Sequence, residues 1–300
     1  MDILQLTLKS TNKRTGLLLV CAAASVWGLI WVPMRYVESL GVSGLWVVVG
    51  FQILPFIALF PFCQKSLLKN RTDWGVYLAA GGAMGLGFAL YSLGLVVASV
   101  TKTTVLFYLT PIWSTILGTL YLSEKLNLQR WIAISIGLIG CMLIMQMNVF
   151  DLQFAKSDFL GLFSGLSWSV GSIIIGKYPK ANVMNITLFQ YGVGAFLAAI
   201  AALYLGVQMP TMEIVASALP VTFVASVCVF LPSVLIIFRV NQYVSPGLVG
   251  ILMLSEVVVA ALSSALFIGE HLDYWQWVGF VAIIATGAYI GIDSGKETAD

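Results

Sequence analysis

The feature that most constrains this chain is a series of ten apolar stretches joined by connections too short to hold a domain. They fall at 16–36, 44–63, 74–98, 103–122, 129–149, 158–177, 185–206, 214–238, 247–268 and 275–292. Each is long enough to cross a hydrocarbon core about 30 Å thick. Hydrocarbon offers the backbone no partners, so such stretches must satisfy their own N–H and C=O groups as helices. The 300 residues are 60% hydrophobic and 9% charged, which excludes a soluble domain. The net charge of +2 gives no basis for a nucleic-acid partner. At the N-terminus, Lys9, Lys13 and Arg14 precede LLLVCAAAS, as in a secretory signal. The apolar run continues through Trp27 and Trp31 to Val37, so it reads as an uncleaved first span.

Charge sets the orientation. With the N-terminus in the cytoplasm, twelve basic residues fall on that side: Lys9, Lys13, Arg14, Lys65, Lys69, Arg71, Lys125, Arg130, Lys177, Lys180, Arg239 and Lys296. Three, Arg35, Lys102 and Lys156, fall on the other. Positive charge is retained inside, so both termini are expected in the cytoplasm and the protein in a bacterial inner membrane. A missed or extra span would scramble this alternation.

An internal repeat divides the chain at 1–150 and 151–300. A shift of 146 residues lays LYLSEKLNLQRW (120–131) over LFIGEHLDYWQW (266–277), matching Glu124 to Glu270 and Trp131 to Trp277. A shift of 141 matches Trp27 to Trp168. Five spans per half is an odd number, so the halves enter the membrane in opposite senses. The expected fold is an all-α polytopic membrane protein of ten transmembrane helices in two inverted five-helix repeats. Secondary transporters are built this way, with the site between the repeats near the midplane.

Glu256 lies in the middle of Pro246 to Leu272, the only charged side chain near the centre of any span. A carboxylate at that depth is costly and faces protein or an aqueous cavity. Ala260, Ser263, Ser264 and Phe267 share its helical face, opposite Leu252, Val259, Leu262 and Leu266. In the fourth span Thr104, Tyr108, Pro111, Thr115 and Gly118 form a small and polar face. Pro111 has no N–H to donate and crowds the preceding turn, which suits a hinge. Pro55, Pro220 and Pro232 are placed to act similarly. In the third span GGAMGLGFALYSLG (81–94) has the small-residue spacing that lets helices approach. Tyr91 and Ser92, near its middle, are cavity candidates, with Gln52 of the second span. The sixth span offers Ser164, Ser167, Trp168, Ser169 and Ser172. Trp27 and Trp168 are repeat-related and suited to form two walls of one cavity.

SVWGLIWVPMRY (25–36), LTPIWSTILGTLYLSEKL (109–126) and LSEVVVAALSSALFIGEHL (254–272) together resemble the ten-helix EamA-type branch of the drug/metabolite transporter superfamily. The shared pattern is a Pro or Glu-Pro some thirteen residues before a helix-ending Glu. Here it is carried by Pro111 with Glu124 and by Glu256 with Glu270, and Val257 stands where the second Pro is often found. The resemblance implies a transporter of small metabolites or drugs, often an exporter, working by alternating access.

Other motifs fail. GSIIIGKY (171–178) has a phosphate-loop skeleton, but Tyr178 replaces the required Ser or Thr and the motif lies within a span. His271 is the sole histidine and GLSWS does not complete a nucleophile elbow, so no metal, cofactor or covalent catalysis is expected and the chain is not read as an enzyme. Cys21, Cys63, Cys141 and Cys228 read as packed thiols. The expected function is export of an amphipathic metabolite, an amino acid or related amine, with protons as a candidate coupling partner. Its site would be Glu256, Ser255, Trp168, Tyr91, Ser92, Thr110, Trp27 and Gln52, with Pro111, Glu124 and Glu270 as hinge or gate. Multidrug efflux and a channel are the alternatives.

Overall fold

Every expected apolar stretch is helical in the computed structural model, which describes residues 13–125, 128–147, 155–269 and 271–296. Eight helices are long and apolar enough to cross a membrane. They are α1 (Thr15–Ser39), α2 (Gly44–Lys69), α3 (Arg71–Val97), α4 (Val100–Leu122), α6 (Lys156–Lys177), α7 (Val183–Tyr204), α8 (Met212–Val240) and α9 (Pro246–Ile268). The shorter apolar helices are α5 (Leu128–Ile144) and α10 (Tyr274–Ile290). At about 1.5 Å per residue the 17 residues of α5 extend about 26 Å. No strand occurs among the described residues. This is an all-α polytopic membrane fold.

Proline decides where several helices yield. In α1 the helix stops at Trp27 and resumes at Trp31. Pro33 lies just beyond; its ring crowds the Leu29 carbonyl, and the intervening turn tightens to bonds from Leu29 N to Val26 O and from Ile30 N to Trp27 O. In α4 the break falls between Phe107 and Thr110, one turn before Pro111. The Phe107 carbonyl accepts the Thr110 hydroxyl instead. In α8, Val224–Phe230 widens into a π-helix ahead of Pro232. In α9 the break is at Leu254, the position 146 residues after Tyr108, with no proline at fault. There two tightened turns, Leu254 N to Ile251 O and Val257 N to Leu254 O, do the same work.

Glycine decides where helices meet. A Cβ on Gly85 would lie 2.6 Å from the Gln190 carbonyl oxygen of α7, and one on Gly87 would lie 2.9 Å from the Ser164 oxygen of α6. Gly171 faces back to Met84 and the Ala80 oxygen, and Gly165 to the Phe107 oxygen of α4. The sequence reading of 81–94 as a packing segment therefore holds, and α3, α6 and α7 form one tightly seated group. Gly140 of α5 and Gly279 of α10 seat those two helices on each other in the same way. Between α4 and α9, Gly247 would meet the Thr115 hydroxyl and Gly250 would meet Pro111.

The expected division of α9 into a greasy and a small polar face is not what folds. Val257, Val258 and Ser263 are buried, while Leu266 and Phe267 are both exposed. Contacts with α1 and the break at Leu254 set the buried side, not helical periodicity alone. In α4 the expected face does fold inward: Thr104, Tyr108, Pro111, Thr115 and Gly118 are buried and Ile116 is exposed, although Val105 is buried too. Cys63 and Cys141 are buried as expected; Cys228 is exposed. The GSIIIGKY segment up to Lys177 is plain α-helix.

Candidate substrate site

The breaks of α1, α4 and α9 converge on Glu256. Gly28, in the opened turn of α1, packs on the backbone of α9, where a Cβ would lie 2.5 Å from the Glu256 carbonyl oxygen. Glu256 stands in the first turn of the second α9 segment, just past Leu254. The Tyr108 side chain, from the break in α4, lies close to its carboxyl. Tyr91 of α3 and Cys141 of α5 lie within its electrostatic reach. Glu256 as a whole residue is half-buried.

Aromatic rings extend from this carboxyl across the bundle. Tyr91 and Phe107 lie 4.8 Å apart between ring centres, Phe107 and Trp168 6.3 Å, and Trp168 and Trp27 6.2 Å at a steep angle. Phe88 and Phe230 close on Trp27, and Phe238 on Trp168. Edge-to-face pairs of this kind are the favoured aromatic arrangement. The Trp27 indole donates to Ser233 Oγ at 2.8 Å, tying α1 to α8 just past the π segment.

The expected residues divide. Glu256, Trp27, Trp168 and Tyr91 come together in this region. Thr110 is committed to helix contacts: its hydroxyl donates to Phe107 O, and Ser169 donates to its carbonyl. Ser92 bonds back to Phe88 O of its own helix at 2.9 Å. Gln52 accepts from Gln190 at 3.2 Å in a buried amide pair between α2 and α7. Ser255 donates to the Cys21 carbonyl on the side facing α1. The serines of α6 join helices: Ser167 bonds to Ala83 O, Ser169 accepts from Ser114, and Ser172 accepts from Asn241. Sequence reasoning named Tyr108 as part of a face but missed it as the neighbour of Glu256. The signal was its place one turn before Pro111, where α4 opens. Phe88, Phe107, Phe230 and Phe238 were missed because aromatic residues abound in every span.

Glu124 caps one end of the bundle. Ser123 turns into the left-handed region at φ 55°, swinging Glu124 back over Gly118. Glu124 Oε2 then accepts from Arg130 Nη1 of α5 and from Ser245 Oγ at the start of α9, both at 2.6 Å. Gly269, 146 residues on, is likewise left-handed at φ 78°. Glu270, the other expected gate, lies outside the described residues.

The sequence matches the EamA-like transporter family twice, over residues 14–146 and 155–291. The chain belongs to the EamA-like transporter family. It is thus a multi-pass membrane protein of the drug/metabolite transporter superfamily, and each family match holds five of the ten helices. It is 23% identical to the uncharacterized transporter YoaV of Bacillus subtilis over 59% of this chain and 63% of that protein. It is 25% identical to an S-adenosylmethionine uptake transporter of Rickettsia bellii over 50% of each. The chain thus spans half to just under two thirds of the length of these relatives. It is 23% identical to the uncharacterized transporter PA0485 of Pseudomonas aeruginosa over 96% of this chain and 97% of that protein. A crystal structure 15% identical shares the fold at a TM-score of 0.71, covering 94% of this chain.

Proposed function

We propose that this member is a secondary transporter that moves a small amphipathic, amine-bearing metabolite, an amino acid or a close relative, out of the cell by alternating access. The two family matches would form inverted halves, with both termini in the cytoplasm of an inner-membrane protein. One observation carries the substrate class: Glu256, with Tyr108 and Tyr91 near its carboxyl, stands at one end of a run of rings from four helices, and no cation among the described mid-span residues neutralises it. A substrate ammonium would take the carboxylate, and its apolar body would lie on the Trp27, Trp168 and Phe107 rings, where cations and apolar groups are both accepted.

A second reading reverses the direction. The Rickettsia relatives are named for uptake of S-adenosylmethionine, itself an amino-acid derivative. Counterflow in proteoliposomes separates the readings and tests the class. Radiolabelled amino acids and S-adenosylmethionine are offered from either face of oriented vesicles. Saturable exchange of an amine-bearing solute supports the proposal. If only neutral or anionic drugs exchange, multidrug efflux replaces it, and the assignment of Glu256 to a substrate ammonium fails.

A further inference from the structure

The described helices leave a cavity that shares no lining residue with the aromatic site. It has a volume of about 670 Å³ and lies between α1, α9 and α10. Its walls include Leu17, Leu18, Cys21, Ile251, Val258 and Ile284. We propose that this groove seats one acyl chain of a phospholipid from the leaflet on the lysine- and arginine-rich side, and that this lipid braces the break in α9.

Three observations identify a hydrocarbon chain as the occupant. First, the groove is continuous with the membrane-facing surface: Leu18 is 65% exposed and Ile284 60% exposed, and both line it. In a membrane protein that surface is covered by lipid. Second, its length suits one leaflet. On α1 the lining runs from Leu17 to Ser25, which at about 1.5 Å per residue is about 12 Å. Half of a core about 30 Å thick is close to that. It begins near the basic end of α1 and on α9 reaches Val259, just past Glu256. Third, the groove asks for nothing polar. Its lining is apolar apart from Ser25, Ser255 and the Cys21 thiol, and the Ser255 hydroxyl already donates to the Cys21 carbonyl. A site for water or a zwitterion would present unsatisfied donors or acceptors.

The position gives the lipid a role. Ile251 and Leu252 precede the break at Leu254, while Ser255, Val258 and Val259 follow it. A chain lying across both segments holds them in their present relation. Leaving the groove would free α9 to straighten or swing at Leu254, two residues from Glu256. The inference stands whatever the transported solute.

The test is photo-cross-linking in nanodiscs made with a phospholipid carrying a diazirine in one acyl chain, with adducts mapped by mass spectrometry. Gly287 offers the control: a Cβ there would meet only Leu252 Cδ2, at 4.0 Å, so Gly287→Trp fills the groove from its open side. Ala288→Phe does so from the next position should the first variant misfold, and elution as a single folded species checks both. The expected result is adducts enriched on Ile251, Leu252, Val258 and Ile284, falling severalfold in either filled variant. The exposed stripe of Ile132, Ile136 and Ile139 on α5 serves as the reference surface. Equal labelling of groove and stripe, or enrichment untouched by both folded variants, overturns the proposal.

Discussion

The group formed by α3, α6 and α7 differs from the group formed by α1, α2 and α8, although in helix order within the two family matches they are counterparts. In the first, α3 and α6 are unbroken helices, and glycines let backbones touch: Gly85 on Gln190, Gly87 on Ser164, Gly171 on Ala80. In the second, α1 is opened at residues 28–30 and α8 is widened over Val224–Phe230. Its one comparable glycine, Gly50, faces only the methyl tip of Thr222 at 3.3 Å. Contact there runs through side chains, Val37, Val47, Phe51, Ala218 and Phe230 forming a cluster of their own. Backbone-to-backbone seams have no slack, because every atom at the contact is fixed by the helix. Side-chain seams can repack. The difference marks the contacts among α1, α2 and α8 as the ones able to repack and α3, α6 and α7 as a rigid group, with α1 held by its own backbone seam at Gly28 to α9.

Breaking the rigid seam should have the largest effect. Gly85→Leu drives a side chain into the α7 backbone and should abolish folded protein, read as loss of the monodisperse peak on size exclusion. Even Gly85→Ala should cost about 1–3 kcal/mol, the usual penalty for overpacking, seen as a lower melting temperature in detergent. Removing the aromatic hub comes next. Trp27→Ala deletes contacts to Phe88, Trp168 and Phe230 and should cost about 3 kcal/mol, as for other large core truncations. Trp27→Phe should lose only the bond to Ser233, about 1 kcal/mol. Glu124→Ala frees Arg130 and Ser245 at one end of α4, α5 and α9. With side chains 15% and 17% exposed, its cost should fall near 1–3 kcal/mol, between exposed and buried pairs. The smallest effect belongs to the loose seam: Gly50→Ala should change stability by less than about 1 kcal/mol. A Gly50→Ala cost equal to that of Gly85→Ala would erase the contrast.

Much of this was legible in the sequence because lipid imposes a simple rule. Most helix boundaries fall within a few residues of the expected ones; α2 runs on to Lys69 because Lys65 and Lys69 can lie at the basic membrane surface while the helix continues. Pro111 predicted the opening of α4. The break at Leu254 could not be read, since Val257 donates where a proline would not. The candidate site was half legible. Trp27, Trp168 and Glu256 were found through charge and repeat. Gln52, Ser92 and Ser255 looked the same in sequence, yet satisfy Gln190, Phe88 and Cys21. A polar residue inside a span must find a partner, and sequence does not say whether that partner is a helix or a ligand.

The account rests on Glu256 facing substrate from the meeting point of three broken helices. The direct measurement is counterflow of an amine-bearing substrate by the wild type and by Glu256→Gln at matched reconstitution. The amide keeps the size and most hydrogen bonding and removes the charge. Losing a charge-assisted bond of about 1.5–3 kcal/mol should weaken apparent affinity or flux about 10- to 100-fold, with the melting temperature held or raised. Wild-type flux and affinity in a folded Glu256→Gln protein would contradict it, leaving Glu256 as a brace for Tyr108.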